Sequence, residues 1–257
     1  MPRFAANLSM MFTELPFMER FEAAAKAGFT GVEYLFPYEE DAGAIAAALA
    51  DNGLTQALYN TSAGDFAGGE RGFAAVPGAG DRFRADLDQA LEYASAIGPL
   101  NIHIMAGMAK GPGARATYLE NLAHACAQAP EQGFVIEPIN HRDMPGYHID
   151  NQEDGRAVIA EVGAPNLGLQ LDLYHCQIMQ GDLTERIRAL APVTRHVQVA
   201  SVPKRQEPDT GETNFPYVIQ VLDETGYDGW VGCEYRPAGE TLAGLDWFAP
   251  YRSASSA

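Results

Sequence analysis

Four oxygen-bearing side chains stand at or near the carboxyl ends of short apolar runs, and they are the residues best suited to chemistry. They are Glu137 after residues 134–136, Asp172 after 167–171, Gln198 within 196–200, and Glu234 after 230–233. An apolar run of this length is typical of a strand buried on both faces. A charge left unpaired in such a core is very costly, so these groups are expected at the rim of the core.

These four residues are separated along the chain by about one strand–helix repeat, which places them at the same end of a parallel barrel. Three carboxylates at one mouth repel one another unless a cation lies between them. Carboxylate and amide oxygens suit a hard divalent ion, and the set therefore predicts a Mg²⁺ or Mn²⁺ site rather than a zinc site. The alternative is four unrelated polar groups, each satisfied by its own loop.

Several further side chains in the predicted mouth loops could bind a substrate. His175 follows Asp172 by three residues and could contact a substrate oxygen. The cations Arg142, Lys204 and Arg205 stand out in an acidic chain, and one of them is expected to pair with a substrate carboxylate. The alternative for these cations is a salt bridge to an acid of the same loop. His103 and His148 are weaker candidates.

Apolar runs and helical stretches alternate along the whole chain. The predicted strands cover residues 4–7, 31–36, 54–59, 101–105, 134–136, 167–172, 196–199 and 230–234. The predicted helices cover 16–27, 41–52, 82–97, 114–129, 153–162, 183–190 and 217–225, and the long loops 60–80 and 201–213 are expected to be functional. Eight strands in such alternation predict an α/β fold, a single (β/α)8 TIM barrel over residues 1–257.

Composition excludes several classes of protein. The formal net charge of −17 disfavours nucleic acid and anionic membranes as partners. The start of the chain does not resemble a signal peptide, and no apolar stretch reaches membrane-spanning length. Three widely spaced cysteines predict neither a disulfide framework nor a structural zinc site, so a cytoplasmic location is expected. A homo-oligomer is compatible with the sequence, and residues 253–257 are expected to fray.

Seven motifs, which together span almost the whole chain, resemble the hydroxypyruvate isomerase family of the xylose-isomerase-like barrels. They lie at residues 3–14, 31–38, 63–72, 137–140, 172–175, 207–212 and 226–235. The resemblance implies a divalent metal held by Glu137, Asp172, Gln198 and Glu234, with Glu137 and Glu234 as proton donor and acceptor. It implies a small 2-oxo or hydroxy acid as substrate, with hydroxypyruvate converted to tartronate semialdehyde.

The substrate and the route stay open at this stage. Residues 137–146 and 172–177 look like hydroxypyruvate isomerases, whereas the loop 199–209, with Val202-Pro203, looks like the related 2-oxo-tetronate isomerases. Proton transfer through an enediolate is expected, and a metal-assisted hydride shift is the alternative. A sugar epimerase, a metal-dependent hydrolase or nuclease, and an inactive binding protein are the competing functions on this fold.

Overall fold

Eight parallel strands close into a barrel in the computed structural model, which describes residues 2–252. The strands are β1 Arg3–Asn7, β2 Gly31–Glu33, β3 Thr55–Asn60, β4 Asn101–His103, β5 Gly133–Ile136, β6 Leu167–Asp172, β7 Thr194–Gln198 and β8 Trp230–Cys233. Each strand pairs with the next in the chain, and β1 closes the barrel against β8. The predicted (β/α)8 barrel is confirmed.

Helices cover the outside of this barrel. They are α1 Arg20–Lys26, α2 Ala42–Asp51, α3 Gly80–Ile97, α4 Pro112–Gln128, α5 Gln152–Val162, α6 Leu173–Met179, α7 Leu183–Leu190 and α8 Phe215–Glu224. Some of their ends are capped: the side chain of Asp41 accepts a hydrogen bond from the backbone N–H of Ala44, and Gly98 ends α3 in the left-handed conformation.

The sequence prediction missed α6, which begins immediately after β6. Asp172 caps this helix, because its Oδ1 accepts hydrogen bonds from the backbone N–H groups of Tyr174 and His175 at 2.7 and 3.3 Å. The helix has only seven residues, which is too short for a clear apolar period. This short helix fixes the side chain of Asp172 and places His175 about one turn after it.

Two predicted strands end earlier than expected. β2 stops at Glu33 because the pairing with β3 shifts register between Val32 and Glu33, although the backbone N–H of Tyr34 still donates to the Leu58 carbonyl. β4 stops at His103, and the chain beyond it pairs instead with the β3–α3 loop through an isolated bridge between Gly72 and Ala106.

No α-helix follows β8 within residues 2–252, and none was predicted after the eighth strand. Two 3-10 helices, Thr241–Gly244 and Asp246–Tyr251, follow β8 instead. Phe248 stacks on Phe29 at 4.2 Å between ring centroids, and it contacts the ring of Phe4 edge-on. Aromatic packing thus covers this side of the barrel. The fraying expected for residues 253–257 lies outside the described residues.

The main apolar core lies between the strands and the helices, whereas the amino end of the barrel interior is closed by one large ring. Trp230 packs there with Ala5 and Ala57. A Cβ at Gly31 would lie 2.3 Å from the Trp230 ring, so this position requires glycine. The other end of the interior is left for the polar side chains that end the strands.

Two sequence predictions about the chain as a whole can be compared with residues 2–252. No helix in this range combines the length and the apolar character needed to cross a membrane. Cys126, Cys176 and Cys233 are buried free thiols, in agreement with the absence of a predicted disulfide framework.

Candidate active site

The four predicted site residues lie at the carboxyl ends of successive strands. Asp172 and Gln198 are the last residues of β6 and β7 and are register partners. Glu137 and Glu234 directly follow β5 and β8. All four side chains are buried. Ligand atoms of Glu137, Asp172, Glu234 and His175 lie within 4.8 Å of one another, so the structure brings the three acids together with one histidine.

Burial and mutual repulsion make the charged forms of these acids unfavourable. Burial raises the pKa of Glu137 well above its usual range, and the charges of Glu234 and Asp172 raise it further. Burial likewise raises the pKa of Asp172, and it raises the pKa of Glu234 to about 8 although the charge of Arg205 opposes this. A positive charge among the acids would therefore stabilise the site.

Arg205 provides one such charge from the β7–α8 loop. Its guanidinium forms an ion pair with Glu234, lies 3.7 Å from Oδ2 of Asp172, and lies 3.4 Å from Oδ2 of Asp143. It also lies over the ring of Tyr174, with Cζ 4.9 Å from the ring centroid. The backbone of Arg205 has a φ of 55°, which costs a non-glycine residue about 1 kcal/mol and is characteristic of functional positions.

Asn140 fixes the protonation pattern of His175. Asn140 Oδ1 accepts from the backbone N–H groups of Arg142 and Asp143, so its Nδ2 faces His175 Nδ1 at 2.5 Å. Nδ1 must then accept, and the proton lies on Nε2. Nε2 lies 3.6 Å from Glu137 Oε1 and 3.4 Å from Asp172 Oδ2. His175 is thus oriented as a donor toward the acids rather than as a metal ligand.

His103 lies on the other side of Glu137, with Nδ1 3.5 Å from Oε2. Burial lowers the pKa of His103 to about 3, and burial lowers the pKa of His175 well below its usual value. Both rings are therefore neutral near pH 7. The other weak candidate, His148, is hydrogen-bonded to the carbonyl of Ala109, outside the cavity lining.

Gln198 belongs to a buried polar network that the sequence analysis did not find. Its Nε2 donates to Glu33 Oε1 at 2.8 Å, and its Oε1 accepts from Gln170 Nε2 at 2.7 Å. Glu33 also accepts from Asn7 at 2.9 Å and is bonded to His196 Nε2 at 2.6 Å. A carboxylate only accepts, so the amide nitrogen of Gln198 must face Glu33 and its oxygen must face away.

A cavity of about 410 Å³ opens above the acids. Of the predicted cations, Arg205 lines it, whereas the exposed side chains of Lys204 and Arg142 do not. Arg71 and Arg236 line it unexpectedly, together with the apolar side chains of Met10, Leu35, Phe36, Phe66, Met105, Ile139 and Met144. The sequence signal for Arg71 was the length of its loop, since a long loop in a compact domain is usually functional.

Comparison with known proteins places the chain in a class. A profile of the xylose isomerase-like TIM barrel family matches residues 21–251. A crystal structure from Brucella melitensis, titled AP endonuclease, family 2, superposes with a TM-score of 0.96 at 51% identity, covering 98% of this chain and 100% of that one. The chain therefore belongs to the xylose isomerase-like TIM barrel family.

Two curated relatives define the chain more narrowly. It is 55% identical to the 2-oxo-tetronate isomerase of Cupriavidus necator, with 98% of this chain and 99% of that protein covered. It is 44% identical to the hydroxypyruvate isomerase of Escherichia coli, with 98% and 100% covered. The predicted resemblance is confirmed, and the chain is an enzyme of the isomerase type.

Proposed function

We propose that this enzyme moves a carbonyl group between adjacent carbons of a small 2-oxo acid that carries a neighbouring hydroxyl group. One observation carries the proposal: the buried carboxyl groups of Glu137 and Glu234 line one cavity, and their oxygens lie within 4.8 Å of one another and of an Asp172 oxygen. Two carboxyl groups at a common substrate can take a proton from one carbon and return it to the next.

The donor set fits a divalent metal. Within residues 2–252, Oε1 of Glu137 and Oδ2 of Asp172 are buried without a hydrogen-bond partner, which is costly unless another group binds them. We infer that Glu137, Asp172, Gln198 and Glu234 hold Mg²⁺ or Mn²⁺, with the Gln198 oxygen directed by Glu33. The bound ion would supply Lewis-acid polarisation of the substrate oxygens. In this proposal the Nε2–H group of His175 donates a hydrogen bond to the substrate or to the acids and does not bind the metal.

The side chains of the site then divide the proton transfers between them. One glutamate removes the proton from the hydroxyl-bearing carbon, and the other delivers a proton to the former carbonyl carbon. The hydroxyl proton moves to the other oxygen, so the product is an isomer. The ion pair with Arg205 partly offsets the rise in pKa that burial gives Glu234, whereas Glu137 contacts neutral histidines, so Glu234 is the better suited first acceptor. The apolar side chains among the cavity lining would reduce contact between the reacting carbons and water.

Two substrates of this class are supported. The conversion of hydroxypyruvate to tartronate semialdehyde is supported by the Escherichia coli relative and by the motifs at residues 137–146 and 172–177. The isomerisation of a four-carbon 2-oxo-tetronate is supported by the Cupriavidus necator relative and by the loop at 199–209. We favour the four-carbon acid as the better substrate, because the relative of higher identity carries that name.

An activity screen with product analysis tests the proposal. Hydroxypyruvate, tartronate semialdehyde and the 2-oxo-tetronates are incubated with enzyme containing Mg²⁺ or Mn²⁺, and the products are assigned by NMR. We expect the carbonyl to move to the adjacent carbon, whereas an epimerase would invert a carbinol carbon. Cleavage of an abasic DNA duplex is tested in parallel, and the net charge of −17 predicts none. Inversion, DNA cleavage or full activity after metal chelation would contradict the proposal.

A further inference from the structure

Part of the cavity lining consists of an arginine that lies over an aromatic ring. Arg71 and Phe66 both belong to the β3–α3 loop and both line the cavity. The guanidinium of Arg71 lies over the ring of Phe66, with Cζ 3.7 Å from the ring centroid. Its Nη1 donates to the carbonyl oxygens of Phe66 and Glu70 at 2.8 and 2.6 Å. One edge of the guanidinium is thus fixed by the loop itself.

The backbone is anchored on both sides of Arg71. Before it, Glu70 forms a two-point ion pair with Arg82 at 2.8 and 2.9 Å and accepts the backbone N–H of Asp65 at 2.7 Å. After it, Gly72 forms an isolated bridge with Ala106, three residues beyond β4. Gly72 has a φ of +93°, and a Cβ there would lie 2.4 Å from the Met105 carbonyl oxygen. The loop therefore holds Arg71 in one place before any ligand arrives.

The charge of Arg71 is not balanced inside the protein. Arg205, which also lines the cavity, is paired with Glu234, Asp172 and Asp143. By contrast, no carboxylate of residues 2–252 lies within 4.0 Å of the Arg71 guanidinium, and its Nε and Nη2 make no hydrogen bond within that range. In a chain with 34 acidic residues, an anchored arginine that faces a cavity without an acid is suited to an anionic ligand.

We propose that Arg71, supported by Phe66, is the binding subsite for the carboxylate of the substrate and selects 2-oxo acids over neutral sugars. This inference rests on the proposed function, because it assumes that the reacting carbons lie near Glu137 and Glu234. The free Nε–Nη2 edge can donate two parallel hydrogen bonds to one carboxylate. The prearranged position of Arg71 reduces the entropy lost on binding.

The test compares acid and neutral ligands in three variants, Arg71→Gln, Arg71→Lys and the control Arg84→Gln. Arg84 is an exposed residue of α3 whose ion pair with Asp81 lies outside the cavity. Steady-state kinetics of the Mg²⁺-loaded enzymes are measured with hydroxypyruvate and with dihydroxyacetone, in which a hydroxymethyl group replaces the carboxylate. Calorimetric titration with glycerate measures carboxylate binding without turnover, and thermal unfolding confirms that each variant is folded.

We expect Arg71→Gln to raise KM for hydroxypyruvate and Kd for glycerate at least ten-fold, with little change in kcat and none in kcat/KM for dihydroxyacetone. Arg71→Lys should lose less, because it keeps the charge without the planar fork. Arg84→Gln should behave as wild type. Equal glycerate affinity in wild type and Arg71→Gln, or no glycerate binding to wild type, would overturn the subsite. Absence of wild-type turnover with hydroxypyruvate and also with the 2-oxo-tetronates of the activity screen would instead overturn the proposed function.

Discussion

Glu137 and Glu234 have different neighbours although both are buried carboxyl groups at the same end of the barrel. Glu137 lies between the neutral rings of His103 and His175, whereas Glu234 forms an ion pair with Arg205. Neutral donors stabilise a carboxylate less than a guanidinium does. At the scale of single residues, this difference supports the proposal that Glu234 accepts the proton while Glu137 delivers one.

Replacing either glutamate by glutamine separates proton transfer from metal binding. An amide oxygen can still coordinate a cation, but an amide does not accept a proton at neutral pH. We expect Glu137→Gln and Glu234→Gln to remain folded and to lose at least about a hundred-fold in kcat, because general acid–base catalysis is worth roughly 10²–10⁴-fold. Steady-state kinetic assays measure this loss in kcat, and calorimetric titration with Mn²⁺ measures how much metal binding remains.

The matched control for these variants is Glu120→Gln, an exposed position on α4, which should retain wild-type kcat. In D₂O, wild-type enzyme should place solvent deuterium on the carbon that receives the proton, provided the abstracted proton exchanges before its return. Substantial activity of both glutamine variants without deuterium incorporation would favour the hydride shift instead.

At the scale of elements, β2 and β7 are joined across the barrel interior through Glu33. Its carboxylate is bonded to Asn7, Gln198 and His196, and it is fully buried. A Cβ at Gly232 would lie 2.0 Å from Glu33 Oε2, so β8 leaves space for this carboxylate only by having glycine there. The network thus fixes both the barrel interior and the orientation of the Gln198 amide.

We expect Glu33→Ala to destabilise the fold by at least about 3 kcal/mol, because three buried donors lose their acceptor and each unsatisfied group costs about 1–3 kcal/mol. Urea denaturation measures this change. The control Glu39→Ala, at an exposed position after β2, should have a free energy of unfolding within about 0.5 kcal/mol of the wild-type value. Similar unfolding midpoints for the two variants would show that the network does not contribute to stability.

A second prediction at this scale concerns Asp86 on α3. Burial raises the pKa of Asp86 to about 6, and its Oδ2 is buried without a hydrogen-bond partner within residues 2–252. The folded state therefore binds the proton more tightly than the unfolded chain. Protonation of Asp86 therefore adds to the stability of the folded protein as the pH falls from above 6 to about 4. This contribution is lost when the pH rises through about 6 and Asp86 ionises.

Asp86→Asn should accordingly stabilise the protein at pH 8, by about 1 kcal/mol after allowance for the screening of a half-buried group. The gain should shrink toward zero near pH 4, where wild-type Asp86 is protonated in the folded state. Thermal unfolding at pH 8, 6 and 4 measures it, with Asp88→Asn on the exposed face of the same helix as control. A gain that does not depend on pH would refute this assignment.

At the scale of the whole molecule, the proposed metal site predicts that metal binding raises the stability of the fold. The chain carries a formal charge of −17, and three of its carboxyl groups share one buried cluster. A ligand that binds only the folded state at 100 times its Kd stabilises that state by about 2.7 kcal/mol. For a chain of this size, that corresponds to a rise in Tm of roughly 5–10 °C.

We expect Mg²⁺ or Mn²⁺ to raise Tm by that amount in differential scanning calorimetry, and EDTA to reverse it. Glu137→Ala should lose most of the shift, whereas Glu120→Gln should keep it. NaCl at matched ionic strength controls for general screening of an acidic surface. An equal shift in Glu137→Ala would assign the effect to non-specific cation binding rather than to the proposed site.

Much of the architecture could be predicted from the sequence alone. The eight apolar runs, the (β/α)8 barrel and the position of Glu137, Asp172, Gln198 and Glu234 at the strand ends follow from local patterns. Side-chain direction in a short buried strand is set by the strand itself, and parallel strands place all their carboxyl ends at one mouth. Residues at those ends therefore meet without any knowledge of loop conformation.

Only the tertiary structure decided which loop residues reach the cavity. Lys204 and Arg205 are adjacent in sequence, yet Lys204 is exposed while Arg205 pairs with Glu234. Arg71 lines the cavity from a loop that is held by the Glu70–Arg82 ion pair and by a bridge to the chain beyond β4. The partners of Glu33 lie up to 165 positions away in the chain. Such directions depend on contacts distant in sequence, which no local pattern encodes.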